Sequence, residues 1–372
     1  MQEKQERGMG EKSVSKHEPE LDSTRFSNGI RLTGRQWGMV GLFALAMVLF
    51  TPALWKQVEK FRLEPDYRIP HDLSNDYWLY DRYTRLAASQ YDALLIGDSV
   101  IWGEYVTRKQ TLSHYLNELA GKERFANLGL DGAHPLALNG LVEHYAGAVS
   151  GKNVLLFCNV LWMSSPKADL QDENATVNHP RLIPQFWPRI PPYKEQISPR
   201  LGVVVEQHLP FDGWTSHLQT AYYHSDIPAW TLEHPYENPF KPLAQGLPTP
   251  DEPPRHTPQA WYKSGITKQD YAWVDLETSL QWHAFQRVVN LLERRGNRLF
   301  VLLGPFNEHI LSKENVQAFQ KVKSTIEAWL QEKHVAHAVP SALPSELYGD
   351  ASHPLAQGYA LLAKELFERL PK

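Results

Sequence analysis

From residue 91 onward, five short apolar runs recur along the chain: residues 93–96 (ALLI), 125–129 (FANLG), 154–158 (VLLFC), 299–303 (LFVLL) and 335–339 (VAHAV). Each is apolar almost throughout, the pattern of strands covered on both faces. Between them, apolar residues return every three or four positions. Leu112, Tyr115, Leu116 and Leu119 share a helical face that stops at Gly121, and Leu138, Leu141, Val142 and Tyr145 form a second stripe. Leu280, Ala284, Val288 and Leu292 recur before Gly296, and Val316, Phe319, Ile326 and Leu330 before the last run. Strands alternating with helices predict an α/β domain with a mostly parallel sheet.

Two stretches depart from this alternation. Residues 37–55 (WGMVGLFALAMVLFTPALW) carry no charge, begin and end on Trp, and are flanked by Arg35 and Lys56. That length is enough to cross a bilayer, with the tryptophans at the headgroup belts; the alternatives are a buried core helix and a signal peptide. Arg25, Arg31 and Arg35 on one side balance Lys56, Lys60, Arg62 and Arg68 on the other, so charge counting leaves the orientation open. The second departure, residues 164–267, is rich in Pro and in aromatics such as Trp187, Trp214, Tyr222, Tyr223, Trp230 and Trp261. So aromatic a segment reads as an ordered insertion folded over the sheet, either lining a sugar or lipid groove or stapling a loop. The expected organisation is a disordered polar tail at 1–34, a transmembrane helix at 35–56, a polar connector at 57–90 with a short aromatic helix from Asp76, and a domain at 91–372.

Composition narrows the function classes. With 42% hydrophobic and 22% charged residues the chain folds around a core. A net charge of -4 and no Lys/Arg cluster exclude nucleic acid as a partner, and the single Cys158 excludes an internal disulfide and a thiolate metal cluster. No HExxH-like spacing signals zinc.

Four blocks carry candidate chemistry. Gly97, Asp98 and Ser99 directly follow the first predicted strand, where ligands bind in open α/β sheets; the triplet is also a common turn. Asp350, Ala351, Ser352 and His353 place a carboxylate one turn before an imidazole, with Pro354 opening a helix. A hydroxyl becomes a nucleophile when a base takes its proton and an acceptor holds that base in the right tautomer; the competing reading is a helix cap beside a surface His. Gly132 follows the second strand and Asn159 the third, as a free N–H and a carboxamide suited to a tetrahedral oxyanion, or as ordinary loop residues. His134, His283 and His309 are other possible bases without so direct a carboxylate, and Cys158 reads as a buried strand residue.

These blocks, in this order and each after a predicted strand, resemble those of the SGNH hydrolase superfamily, also called GDSL-type esterases. The resemblance runs from Tyr91 to the C-terminus and leaves out the tail, the apolar segment and the insertion. It implies a three-layer α/β/α, flavodoxin-like domain with Ser99 as nucleophile, His353 as base and Asp350 as its orienting acid. The Ser99 N–H, Gly132 and Asn159 would be the oxyanion donors, with no metal and no cofactor. The third block departs from the family pattern: Phe157, Cys158, Asn159 and Val160 stand where the family has Gly-x-Asn-Asp, so only the Asn is kept. The first block has Val100 in place of Leu. By resemblance the chain is a membrane-anchored esterase or O-acyltransferase. It would act on acyl groups, acetyl above all, of an extracytoplasmic polysaccharide, from the periplasmic side of a bacterial inner membrane and beside a multispanning acyltransferase. The alternatives are a lipid or thioester hydrolase and a non-catalytic binding or assembly factor.

Overall fold

The five apolar runs form one parallel sheet. The computed structural model describes residues 32–244, 246–247 and 253–370. Its strands are β1 (Ala93–Gly97), β2 (Phe125–Gly129), β3 (Asn153–Cys158), β4 (Arg298–Leu303) and β5 (Ala336–Ala338). They lie in the order β2-β1-β3-β4-β5, every neighbouring pair parallel. The chain leaves β1 for β2 on one side and returns for β3 on the other, so a topological switch point lies between β1 and β3.

The helices are α1 (Gly34–Val58), α2 (Tyr77–Gln90), α3 (Ser99–Trp102), α4 (Leu112–Ala120), α5 (Pro135–Tyr145), α6 (Ile197–His208), α7 (Pro210–Tyr223), α8 (Ile227–Glu233), α9 (Leu280–Arg294), α10 (Lys313–Glu332) and α11 (Ala356–Phe367). Of these, α2, α5, α9 and α10 pack on one face of the sheet and α4 and α11 on the other. Leu94 and Ile96 of β1 face a cluster built with Tyr80, Leu141, Phe285 and Ile326 of α2, α5, α9 and α10. Leu95 faces the opposite cluster, with Leu116 of α4 and Tyr359 and Leu362 of α11. Alternating side chains along each strand therefore enter two cores, which is why the runs are apolar throughout. The predicted stop at Gly121 is a left-handed C-cap, φ 66°, a conformation glycine adopts without a Cβ penalty.

Two regions carry more structure than the pattern predicts. The insertion contains α6, α7 and α8; Pro210 and Pro228 stand in the first turn of α7 and α8, where a missing N–H costs nothing, so part of the Pro richness marks helix starts. The polar stretch after α1 packs into the first core through Tyr67, Ile69 and Leu73, all buried. By compactness the chain divides at residues 50 and 51, inside α1. α1 is long and apolar enough to cross a membrane. Its Leu42, Phe43 and Phe50 are more than half exposed, unlike the side chains of a buried core helix. Apart from residues 32–34, the expected tail lies outside the described residues.

Candidate active site

Ser99 opens α3 immediately beyond the carboxyl end of β1. The Asp98 side chain caps this short helix by accepting the Val100 N–H at 3.0 Å, which leaves the Ser99 N–H, first of the helix, without an intrahelical acceptor. Close packing fixes α3: a Cβ on Gly129 of β2 would come within 2.3 Å of the Trp102 nitrogen. At the other end of the chain, the Asp350 carboxylate accepts the backbone N–H of Ser352 and of His353, each at 2.9 Å, and so folds the loop that presents the imidazole. Asn307 ties this loop to the segment after β4 by donating from Nδ2 to the Asp350 carbonyl at 2.9 Å. Asp350 is therefore not a helix cap. α11 begins at Ala356, two residues after Pro354.

The two ends of the domain meet at the switch point. His353 Nδ1 lies 2.8 Å from Asp350 Oδ2, and His353 Nε2 lies 2.8 Å from Ser99 Oγ. With Nδ1–H donated to the carboxylate, Nε2 carries the lone pair that faces the hydroxyl. Burial lowers the basicity of His353, but the carboxylates of Asp350, Asp98 and Glu104 outweigh it and hold the imidazole at about 9. Burial likewise opposes ionisation of Asp350, and the facing imidazole together with the two backbone N–H groups outweighs it, bringing the carboxyl down to about 2. Ser99 is buried, 8% exposed.

The expected oxyanion donors follow β2 and β3, the strands on either side of β1. Gly132, at φ 69°, turns the loop after β2, and neither its N–H nor that of Ser99 donates to any acceptor among the described residues. Asn159 directly follows β3. Its Oδ1 accepts the Leu161 N–H at 3.0 Å and its Nδ2 donates to Asp98 Oδ2 at 2.8 Å. An amide nitrogen has two hydrogens, so one remains.

Several residues near this site carry no signal of their own in the sequence. Trp162, on the turn Val160–Met163, donates its indole N–H to Asp98 Oδ2 at 2.8 Å, so the two donors Asn159 and Trp162 converge on one oxygen. Tyr105 lays its ring 5.8 Å from that of His353. The spacing of Asn159 and Trp162, three apart on a tight turn, is the only trace legible beforehand. None of the other candidate bases bonds Ser99 or Asp350, and His283 is an exposed residue of α9. His134 caps α5, bonds the Asn178 carbonyl through Nε2 and is pulled down to about 3 by burial; His309 bonds the Leu343 carbonyl. Cys158 is buried, and burial pushes its thiol up. Among the described residues no group of three His, Cys, Asp or Glu side chains is arranged to hold a metal ion. By sequence the chain matches no protein-family model and no curated protein.

Proposed function

We propose that this chain is an SGNH-type serine esterase or O-acyltransferase, anchored by α1, that transfers acyl groups, acetyl above all, of an extracytoplasmic polysaccharide. The observation that carries this reading is the continuous hydrogen-bonded line from Asp350 through His353 to Ser99, at 2.8 Å on each side of the imidazole, at the sheet's switch point. His353 Nε2 takes the Ser99 proton as Oγ attacks the acyl carbonyl carbon. The N–H groups of Ser99 and Gly132 and the free hydrogen of Asn159 Nδ2 receive the oxyanion. The tetrahedral adduct collapses, the leaving oxygen takes the proton from His353, and Ser99 keeps the acyl group. Water or a sugar hydroxyl then repeats the sequence in reverse. The exposed apolar surface of α1 supports the anchor, beside which a multispanning acyltransferase is the neighbour this reading expects.

A fluorophosphonate probe tests the reading directly. The full chain in detergent gains one adduct by intact mass, and Ser99→Ala and His353→Ala gain none. A folded wild-type chain that stays unlabelled overturns it in favour of a non-catalytic binding or assembly factor.

A further inference from the structure

Beside the triad lies a polar cluster whose one part in the chemistry above is the charge of Glu104 on His353. Glu104, two residues after α3, is 6% exposed. Its Oε1 lies 3.0 Å from His256 Nε2 and 3.5 Å from Arg255 Nη1, while its buried Oε2 accepts no hydrogen bond. Asp131, adjacent to Gly132, meets Arg255 Nη1 at 2.9 Å and His71 Nδ1 at 3.1 Å through Oδ2. Both carboxylates converge on Arg255 Nη1, and burial, then Asp131, pushes Glu104 up to about 7. Tyr105 spans from the cluster to the triad, its ring 5.1 Å from His256 and 5.8 Å from His353. Arg255 and His256 belong to the insertion. Six residues after Arg255, Trp261 is pinned to the loop that carries Asp350, its N–H on the Tyr348 carbonyl at 2.9 Å and its indole on Ser345 Oγ at 3.1 Å.

A buried carboxylate oxygen without a donor is unfavourable unless a ligand supplies the donor. Here two carboxyls accept, a guanidinium donates and an aromatic ring stands alongside. An ammonium would meet Arg255, and an anion would meet the carboxylates. A neutral polyol, whose hydroxyls donate and accept, fits both.

We propose that Glu104, Asp131 and Arg255 form an acceptor subsite that binds adjacent hydroxyls of a carbohydrate, so that the acyl group on Ser99 passes to a sugar hydroxyl in preference to water. The proposal rests on the acyl-serine reading above. One sugar oxygen attacks the acyl carbon while its proton goes to His353 Nε2. The neighbouring hydroxyl donates to Glu104 Oε2, the oxygen that lacks a donor. Collapse breaks the bond between the acyl carbon and Ser99 Oγ, and Oγ recovers the proton from His353. Holding the diol also displaces water from the acyl-enzyme.

The test uses the full chain in detergent, p-nitrophenyl acetate as donor, and methyl glucoside or propanol as acceptor, with products read by mass. Transfer and hydrolysis divide one acetyl-Ser99 pool, so their ratio does not depend on how fast that pool forms. Wild type acetylates the glucoside well above propanol. Glu104→Ala and the partly exposed Arg255→Gln lower the glucoside-to-hydrolysis ratio roughly tenfold, the scale of one charge-assisted hydrogen bond, and leave the propanol ratio within about twofold. Glu104→Gln, which keeps an acceptor oxygen, loses less. The subsite is overturned if folded variants keep the glucoside ratio, if the propanol ratio falls equally, or if a labelled, ester-cleaving wild type does not prefer the glucoside. A wild type that neither takes the fluorophosphonate nor releases p-nitrophenol overturns the acyl-serine reading instead, and this subsite with it.

Discussion

Two histidines in this domain sit in nearly the same bonds and differ in what those bonds allow. His353 Nδ1 faces Asp350 at 2.8 Å; His217 Nδ1, in α7, faces Asp76 at 2.6 Å. The Nε2 atoms lie 2.8 Å from Ser99 Oγ and 2.8 Å from Glu59 Oε1 respectively. Burial lowers the basicity of each, and facing carboxylates reverse it, to about 9 in both. The difference is the group on Nε2. A serine hydroxyl brings a proton that imidazole can take, whereas a carboxylate brings only lone pairs and keeps both ring nitrogens protonated. His217 is fully buried, and Glu59 also receives Arg82 and, at 2.6 Å, the Tyr222 hydroxyl. This second cluster joins residue 59, just beyond α1, to α2 and to the insertion. An acid beside an imidazole thus makes a base only where the far nitrogen meets something that can lose a proton.

The largest expected effect breaks one histidine's carboxylate at a time. Asp350→Asn lowers the fluorophosphonate labelling rate by roughly 10³ to 10⁴, because the imidazole loses its tautomer and its counter-charge. Glu59→Gln leaves labelling per folded molecule intact and destabilises the domain by about 3–5 kcal/mol, since it strips one partner from a buried charge network. Labelling kinetics together with denaturant unfolding measure both. A labelling rate that collapses in Glu59→Gln as it does in Asp350→Asn would show that the two clusters are one machine.

Smaller and smoother is the response to pH. His353 must be neutral to act, so the labelling rate rises about tenfold per unit and levels off above about 9. Stability runs the other way. His217 is raised from 6.5 to about 9, so its contribution is complete below 6.5 and is lost as pH climbs through about 9. Burial opposes ionisation of Glu59, but its partners lower it from 4.5 to about 2, so its share is complete above 4.5 and is lost as pH falls through about 2. Between pH 6.5 and 9 the protein therefore gains reactivity while it loses stability. Raising the Asp350-bound imidazole contributes a loss of the same sign, so His217→Gln flattens the stability profile over that window without removing its slope. A reactivity profile that is flat from pH 6.5 to 9 would mean that His353 is not the base.

What the sequence discloses follows from range. The strands begin or end within one residue of their apolar runs because a strand buried on both faces advertises itself locally. The pairing of Asp350 with His353 is legible because three residues separate them. Ser99 joins them across 254 positions, and only its place after a strand hints at that. Glu104 with Arg255, and Glu59 with His217, have no local signature at all; the fold alone brings them together. The helices of the insertion stay hidden because their prolines, taken singly, read as breakers.

The smallest effect tests Asp98, a carboxylate that raises His353 through space without a side-chain bond to Ser99, His353 or Asp350. Asp98 Oδ2 is held by Asn159 and Trp162, each at 2.8 Å, the two donors standing on one tight turn. If that indole N–H fixes the Asn159 amide by fixing Asp98, Trp162→Phe removes one hydrogen bond worth about 1–2 kcal/mol and slows labelling by roughly tenfold. Asp98 then sets the Asn159 donor geometry through the turn Val160–Met163. Combined with Asn159→Ala the loss should not add, because both act on one oxyanion contact. Full additivity in that cycle would assign Trp162 to packing against His134, whose ring lies 5.7 Å away. It would also place the control of the oxyanion elsewhere than in Asp98.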